Sequence, residues 1–309
     1  MNPTADSERA RQHTLDRYHA LDTLPSTVYD DLVALAAAVC GTPIAVVSLI
    51  DRERQWFKAR IGLDGHETTR DTAVCDHAIR QPEELLEIQD LVEDTRFSSF
   101  PIVTGDVKAR FYAGMPLVAG TGEALGTVCV VDTQPRRLNN QQKTSLRALA
   151  RITATLLDAH RAQHEGLALV ALQGQDAALA PTDTYSVVLI EVQGMAEAGR
   201  RLGERALEKT LQGLEPLFDA CLRHEAGDHV SRVTDSAEFV VLLKGADVEA
   251  RIDALRAAAR QAAHRNALVL LVGAAASATH GEAVLQVYLR AEEDLSTQKD
   301  ALASGREAA

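Results

Sequence analysis

The sequence predicts a mixed α/β (α+β) chain of two domains: an antiparallel sheet flanked by helices, a connector helix, and a second sheet layered with helices. Three observations carry this. The 309 residues suffice for two cores of ordinary domain size. Short β-branched runs alternate with longer stretches of helical apolar spacing, the rhythm of sheets covered by helices. The small, polar stretch "LQGQDAALAPTDT" interrupts that rhythm near the middle, where loop-forming residues cluster. The expected segments are a helical N-terminal piece over 1–24, a first domain over 25–138, a connector helix and linker over 139–183, and a second domain over 184–309. The helices expected over 7–21 and 139–165 pack against the first domain or extend it.

In chain order, Leu15, Tyr18 and Leu21 give the first segment a narrow apolar stripe and so a partly exposed helix. Ser26 then stands at an N-cap position, Val28, Leu32, Leu35, Ala36 and Val39 recur at helical spacing, and Gly41 supplies the stop. "PIAVVSLID" and "QWFKARIGL" are rich in strand-favouring residues and flank the turn "RER", which predicts a β-hairpin. A helical stretch through "CDHAI" and a loop-rich section follow. Two strands in "FYAGMPLVAGTGEALGTVCVVD" are joined by a Gly-Thr-Gly turn that favours antiparallel pairing. Asn139 and Gln142 have capping-box spacing, and Leu146, Leu149, Ile152, Leu156 and Leu157 continue a helix to about Glu165. Its stripe is close to coiled-coil spacing, and the expected state is a homodimer.

Beyond the boundary, "YSVVLIEV" predicts a strand and Met195 to Arg223 a helical stretch. "DHVSRV" with "EFVVLLKG" predicts a hairpin, Val248 to His264 a helix, "ALVLLVGAA" a strand, and the segment after Gly281 a last helix.

Composition narrows the function. A chain that is 46% hydrophobic and 25% charged is globular rather than disordered. No apolar run approaches the roughly 20 residues of a membrane helix, and the N-terminus lacks a signal-peptide core, so the expected location is cytoplasmic, without a membrane partner. A net charge of -12 argues against a phosphate-neutralising surface and so against a nucleic-acid partner. Cys40, Cys75, Cys129 and Cys221 are scattered, with no CxxC pair, and read as reduced, mainly buried thiols. Neither a metal site nor a cofactor is expected.

Two family resemblances rest on longer stretches. "LDTLPSTVYDDLVALAAAVCGTPIAVVSLIDRERQWFKARIGLD", "RDTAVCDHAI", "DTRFSSFPIVTG", "RFYAGMPLV" and "ALGTVCVVD" occur in the order found in GAF domains, the small-ligand sensor modules of bacterial signalling proteins. Residues 21–157 therefore resemble a GAF domain. From about Thr184 to Arg306 the order of elements resembles the GGDEF domain, which in its active form condenses two GTP molecules into cyclic di-GMP. "RVTDSAEFVVLLKG" stands at the place of the signature turn.

The residues at that place do not carry the chemistry that the resemblance implies. Cyclase chemistry needs carboxylates that hold divalent metal beside a phosphate, and glycines where nucleotide approaches the backbone. With Glu238-Phe239 as the final pair of the signature, the preceding positions are Asp235, Ser236 and Ala237. Both glycines are replaced, and the metal-binding acid is an alanine. The turn is also one residue longer than the family pattern after Arg232. On the first strand Glu191 keeps a carboxylate, whereas Gln193, Met195 and Ala196 depart from the family pattern. Gly199 stands at the base-reading Asn and Glu208 at its partner Asp. In the Arg-x-x-Asp inhibitory site, Glu225 replaces the arginine and Asp228 is kept, which removes the bidentate grip on phosphate. Lys299 matches the lysine that reaches the triphosphate, though Gly305-Arg306 is displaced. Glu191, Glu208, Glu238 and Lys299 are the candidate residual nucleotide contacts, and no residue is expected to be catalytic. The bland alternative is that such residues are ordinary exposed charges of an acidic protein.

In the GAF-like half, Trp56, Phe57, Cys75, His77, Arg110 and Tyr112 are the candidate pocket residues. Adjacent strand positions put Trp56 and Phe57 on opposite faces, with Trp56 assigned to core packing. Cys75-x-His77 lacks further donors for a metal site. It reads either as a packed thiol beside a hydrogen-bonded histidine or as a thiolate redox sensor. Arg110 can pair either an anionic ligand or a neighbouring acid.

The expected function is a GAF sensor for an unidentified small ligand, coupled to a catalytically inactive GGDEF-like domain. That domain would act as a regulatory or protein-interaction module of cyclic di-GMP-type signalling, through a signalling protein partner. A divergent active diguanylate cyclase is one alternative. A small-ligand or redox sensor whose second domain only dimerises is the other.

Overall fold

The computed structural model describes residues 5–173, 184–234, 236–245 and 247–305. It divides into two units, Met1–Arg161 and Ala162–Ala309. Among the described residues the strands form two sheets, antiparallel in every pairing.

The first unit contains α1 (Ala5–Asp16), α2 (Thr27–Cys40), β1 (Ile44–Ile50), β2 (Arg54–Ile61), β3 (Glu67–Thr69), α3 (Val74–Ala78), β4 (Leu86–Ile88), α4 (Pro101–Thr104), β5 (Phe111–Val118) and β6 (Ala124–Asp132). The sheet order is β3-β2-β1-β6-β5-β4. Its central strands β1 and β6 are buried along their whole length, so successive residues feed two separate cores. Ala45, Val47 and Leu49 face α2 and the helix that follows β6. Ile44, Val46 and Ile50 face α3, α4 and the long loops, where Phe97 and Val103 close the other side.

That following helix, α5 (Asn140–Gln173), opens with the reciprocal bonds of a capping box. The Asn139 amide donates to Gln142 Oε1 at 3.0 Å, and the Gln142 amide donates to Asn139 Oδ1 at 2.9 Å. The sequence stripe places its end near Glu165, but the helix runs two turns further. Ala168 and Leu172 are buried in the second unit's core, a reward that the local pattern does not display.

Other departures have equally local causes. The first helix stops at Asp16 because His19 and Asp22 adopt left-handed backbone, and buried Tyr18 follows it in a turn. In α2, Leu32 and Ala36 are buried as the stripe predicts, whereas Val28 and Leu35 are exposed. Tyr29, Val33, Ala37 and Cys40 take the inner face instead. The strands β3 and β4 and the helix α4 are three or four residues long, too short to show a period.

The N-terminal segment is pinned by charge as much as by apolar contact. Arg52 holds Asp16 with two bonds of 3.0 and 2.7 Å, and Arg54 holds Asp22 with 3.1 and 2.6 Å. Buried Arg11 donates to the Ile50 carbonyl at 2.8 Å and pairs with Glu8, which Arg70 also reaches at 2.7 Å.

The second unit adds β7 (Tyr185–Gln193), α6 (Met195–Leu202), α7 (Glu204–Asp219), β8 (His229–Arg232), β9 (Glu238–Lys244), α8 (Val248–Asn266), β10 (Val269–Ala276) and α9 (Val284–Ala303). The sheet order is β10-β7-β9-β8. One face packs on α6, α7 and α8 through Val188, Ile190, Phe239 and Val241. The other packs on α9 and the end of α5 through Val187, Leu189, Val240 and Leu242. The helical stretch expected over Met195 to Arg223 consists of two helices and ends at Asp219. Gly203, at φ 80° and ψ 147°, holds a conformation that side chains other than hydrogen rarely tolerate, and the chain turns there. Asp228 is fully enclosed and bonds to Arg251. It also accepts from the Arg223 and Lys244 amides at 2.9 Å each.

Two predictions follow from these charges. Burial pushes the Glu8 carboxyl up, but hydrogen bonds from Arg11 and Arg70 outweigh it and bring it down to about 2. A folded value below the free value of 4.5 means stability that is complete above about pH 4.5 and lost as pH falls toward 2. Protection of α1 amides from hydrogen exchange, relative to the intrinsic rate at each pH, should therefore fall over that window, and Glu8→Gln should flatten the dependence. Arg251→Met leaves the Asp228 carboxylate buried without its cation and should cost about 3–5 kcal/mol of second-unit stability in urea unfolding.

Candidate functional site

The sequence-predicted pocket residues divide between the two faces of the first sheet. Trp56 belongs with α2, where Lys58 Nζ sits over the Tyr29 and Trp56 rings at 4.9 and 5.9 Å. Phe57, Cys75 and Tyr112 lie together on the opposite face. The register of β1 on β2 shifts between Val47 and Ser48, with Lys58 as the extra residue of a bulge. Phe57 thereby comes opposite Ser48 and Gln55 opposite Ile50.

On that face a set of polar side chains is enclosed by apolar walls. Ser48 and Thr127 are paired across β1 and β6 with hydroxyls 3.2 Å apart. Cys129 lies two residues along β6, directly opposite Gly114 of β5. A Cβ at Gly114 would stand 2.2 Å from the Tyr112 hydroxyl, so the absence of a side chain there lets the phenol fold back over its own strand. The Tyr112 hydroxyl then donates to Cys75 Sγ at 3.2 Å. Gln55 Nε2 donates to the same sulfur at 3.0 Å, its amide oriented by Thr68 Oγ1 at 3.3 Å. The Cys75 and Cys129 sulfurs lie 3.7 Å apart.

This convergence sets the acidity of Cys75. Burial raises it, while hydrogen bonds from Cys129, Thr127, Tyr112 and Ser48 prevail and bring it down to about 6. Cys129 moves the opposite way, raised by its hydrogen bond with Cys75 and then by burial. Burial also holds Tyr112 protonated as a donor. Cys40, buried without such donors, is pushed up to about 11. Ser48, Gln55 and Thr127 are absent from the residues that sequence reasoning selects, and Cys129 figures there only as a buried thiol outside the candidate pocket. The available signal is a polar side chain two residues from another in otherwise apolar strands.

His77 sits edge-on to Phe97 at 4.8 Å, and burial followed by Arg80 lowers its basicity. It thus lines the loops as an aromatic partner. The Arg110 guanidinium donates to the Ala109 and Val103 carbonyls at 2.9 and 3.3 Å, where the bland expectation is an acid.

In the second unit the candidate nucleotide residues are already engaged. Glu191 and Glu238 face each other across β7 and β9, on the face that α9 covers. Glu191 pairs with Lys299 at 2.9 Å, so this lysine is half-buried rather than on an open helix face. Glu238 is 1% exposed, not set at an open turn. Its two oxygens lie 2.9 Å from His164 Nε2 and 3.3 Å from the Tyr288 hydroxyl. Glu208 is held by Arg232 through bonds of 2.8 and 3.0 Å. Asp235 lies outside the described residues. The rest of the turn bonds to itself: Ser236 Oγ donates to the Val233 carbonyl and accepts from the Glu238 amide, both at 3.1 Å. Ala237 offers only a methyl group, and Phe239 is buried against Phe218. Asp228, the retained acid of the inhibitory pattern, is spent on Arg251 and two amides.

Residues 25–157 match the family model of the GAF domain. This segment is a GAF domain. A cyclic di-GMP phosphodiesterase of Pseudomonas aeruginosa is 39% identical over 134 residues, which are 43% of this chain and 23% of that protein. The chain thus spans less than a quarter of the length of that curated relative. Solved structures similar to the GAF domain include the blue-light absorbing form of the Thermosynechococcus elongatus PixJ GAF domain. It is 15% identical, covers 52% of this chain and 95% of that one, and has a TM-score of 0.38. The GAF domain of Acinetobacter phosphoenolpyruvate-protein phosphotransferase is also 15% identical, covering 50% and 96%, with a TM-score of 0.38. No described helix is long and apolar enough to cross a membrane.

Proposed function

We propose that this chain is a signalling protein of the cyclic di-GMP type, in which the GAF domain senses a small ligand or chemical state. In this reading the C-terminal unit is a GGDEF-like domain that has lost cyclase chemistry and serves as a regulatory or protein-interaction module. The similarity of the GAF segment to part of a cyclic di-GMP phosphodiesterase supports the signalling context. The observation that carries the non-catalytic role is the fate of the acids around the signature turn. Metal-assisted phosphoryl transfer needs carboxylates open to solvent and a cation beside the phosphate. Here Glu238 is enclosed with His164 and Tyr288, Glu191 is neutralised by Lys299, and Ala237 replaces the remaining acid.

Coupling requires that the GAF domain's ligand bind two states of the protein with different affinity, and that a partner distinguish the same states. The partner would then read the surface of the second unit rather than a product.

The test is incubation of the purified chain with GTP and Mg²⁺ or Mn²⁺, with nucleotides separated afterwards. The expected outcome is unchanged GTP and no cyclic di-GMP. Cyclic di-GMP formation would establish the divergent cyclase instead and overturn the non-catalytic reading.

A further inference from the structure

The nucleotide question leaves the GAF domain's buried sulfurs unused. Cys75 comes from the short helix α3 and Cys129 from the central strand β6, so the fold alone brings them together. Their Sγ atoms are 3.7 Å apart, and each residue is 2% exposed. A disulfide needs the sulfurs at about 2.05 Å, an approach on the scale of side-chain rotation. Both are free thiols here.

The surroundings differentiate the two sulfurs. Cys75 accepts from the Gln55 amide and the Tyr112 hydroxyl, two donors that Cys129 does not share and that favour negative charge on the Cys75 sulfur. Cys129 keeps its proton and lies within reach of whatever forms on Cys75. One sulfur is therefore arranged to attack an oxidant and the other to resolve the product. Enclosure excludes bulky electrophiles, while hydrogen peroxide is close to water in size.

We propose that Cys75 and Cys129 form a peroxide-responsive dithiol that closes to a disulfide inside the GAF domain. In the first step the Cys75 sulfur attacks one peroxide oxygen, the O–O bond breaks, Cys75 becomes a sulfenic acid, and the departing hydroxide takes up the proton that the Cys75 thiol gives up and leaves as one water. In the second step the Cys129 sulfur attacks the Cys75 sulfur, the S–O bond breaks, and the leaving hydroxyl takes the Cys129 proton as a second water. The two thiols are oxidised by two electrons together and the peroxide is reduced to water, so no other reactant is required. Closure ties α3 to β6 and takes from Gln55 and Tyr112 the negatively charged acceptor they share. That repolarises the polar set under the sheet and gives the sensor domain two chemical states. The inference does not depend on what the second unit does with nucleotide.

The experiment exposes the reduced full-length chain to hydrogen peroxide, alkylates remaining thiols in denaturant, and maps peptides without reduction. The expected result is a cross-link between the peptides of Cys75 and Cys129, reversed by dithiothreitol, with Cys40 and Cys221 alkylated. In Cys129→Ser, dimedone should capture Cys75 as its sulfenic acid. Tyr112→Phe, which removes one donor to the sulfur, should slow cross-linking by about tenfold. Alkylation of both Cys75 and Cys129 under peroxide that oxidises Cys221 would overturn the proposal. That reading comes from the unsubstituted protein and stands even if a variant folds poorly.

Discussion

A polar group buried beneath both faces of a sheet must find its partner inside the protein, and this demand organises both units. The central strands β1, β6 and β9 are almost wholly enclosed, so water cannot satisfy what they carry. An unpaired buried polar group costs roughly 1–3 kcal/mol and a charge more. Ser48 and Thr127 answer the demand by pairing with each other. Glu238 answers it with a histidine and a tyrosine, and Asp228 with an arginine and two amides.

The same demand fixes the charged groups of the second unit. The hairpin of β8 and β9 keeps its register, from His229 opposite Leu242 to Arg232 opposite Phe239. Glu191 is paired with Lys299 and Glu208 with Arg232, so recruiting these acids for a ligand would mean breaking those pairs.

Much of the architecture is legible in the sequence because it rests on periodicity and caps. The hairpin of β1 and β2, the paired strands β5 and β6, the Asn139 capping box and the alternation of the second half are all of this kind. What escapes depends on partners distant in sequence. The end of α5 is fixed by Tyr185 and Val187 across the second core, and β3 and β4 exist only through pairing with β2 and β5. The candidate site divides the same way. Cys75 and Tyr112 are visible as unusual residues in apolar runs. Cys129 reads as a plain buried thiol until the register sets it opposite Gly114 and the fold brings α3 over it. Trp56, one residue from Phe57, goes to the other core because strand alternation allows nothing else.

Gly114 shows how far such a site reaches beyond the atoms that react. The Tyr112 phenol lies in the space a methyl group at 114 would fill, so the backbone of β5, not the thiol's own helix, decides whether that donor is delivered. The nucleophilicity of a sulfur on one element is thereby set by a hydrogen atom on another. Evolution could detune this sensor, or sharpen it, by editing a residue that no inventory of reactive groups would include.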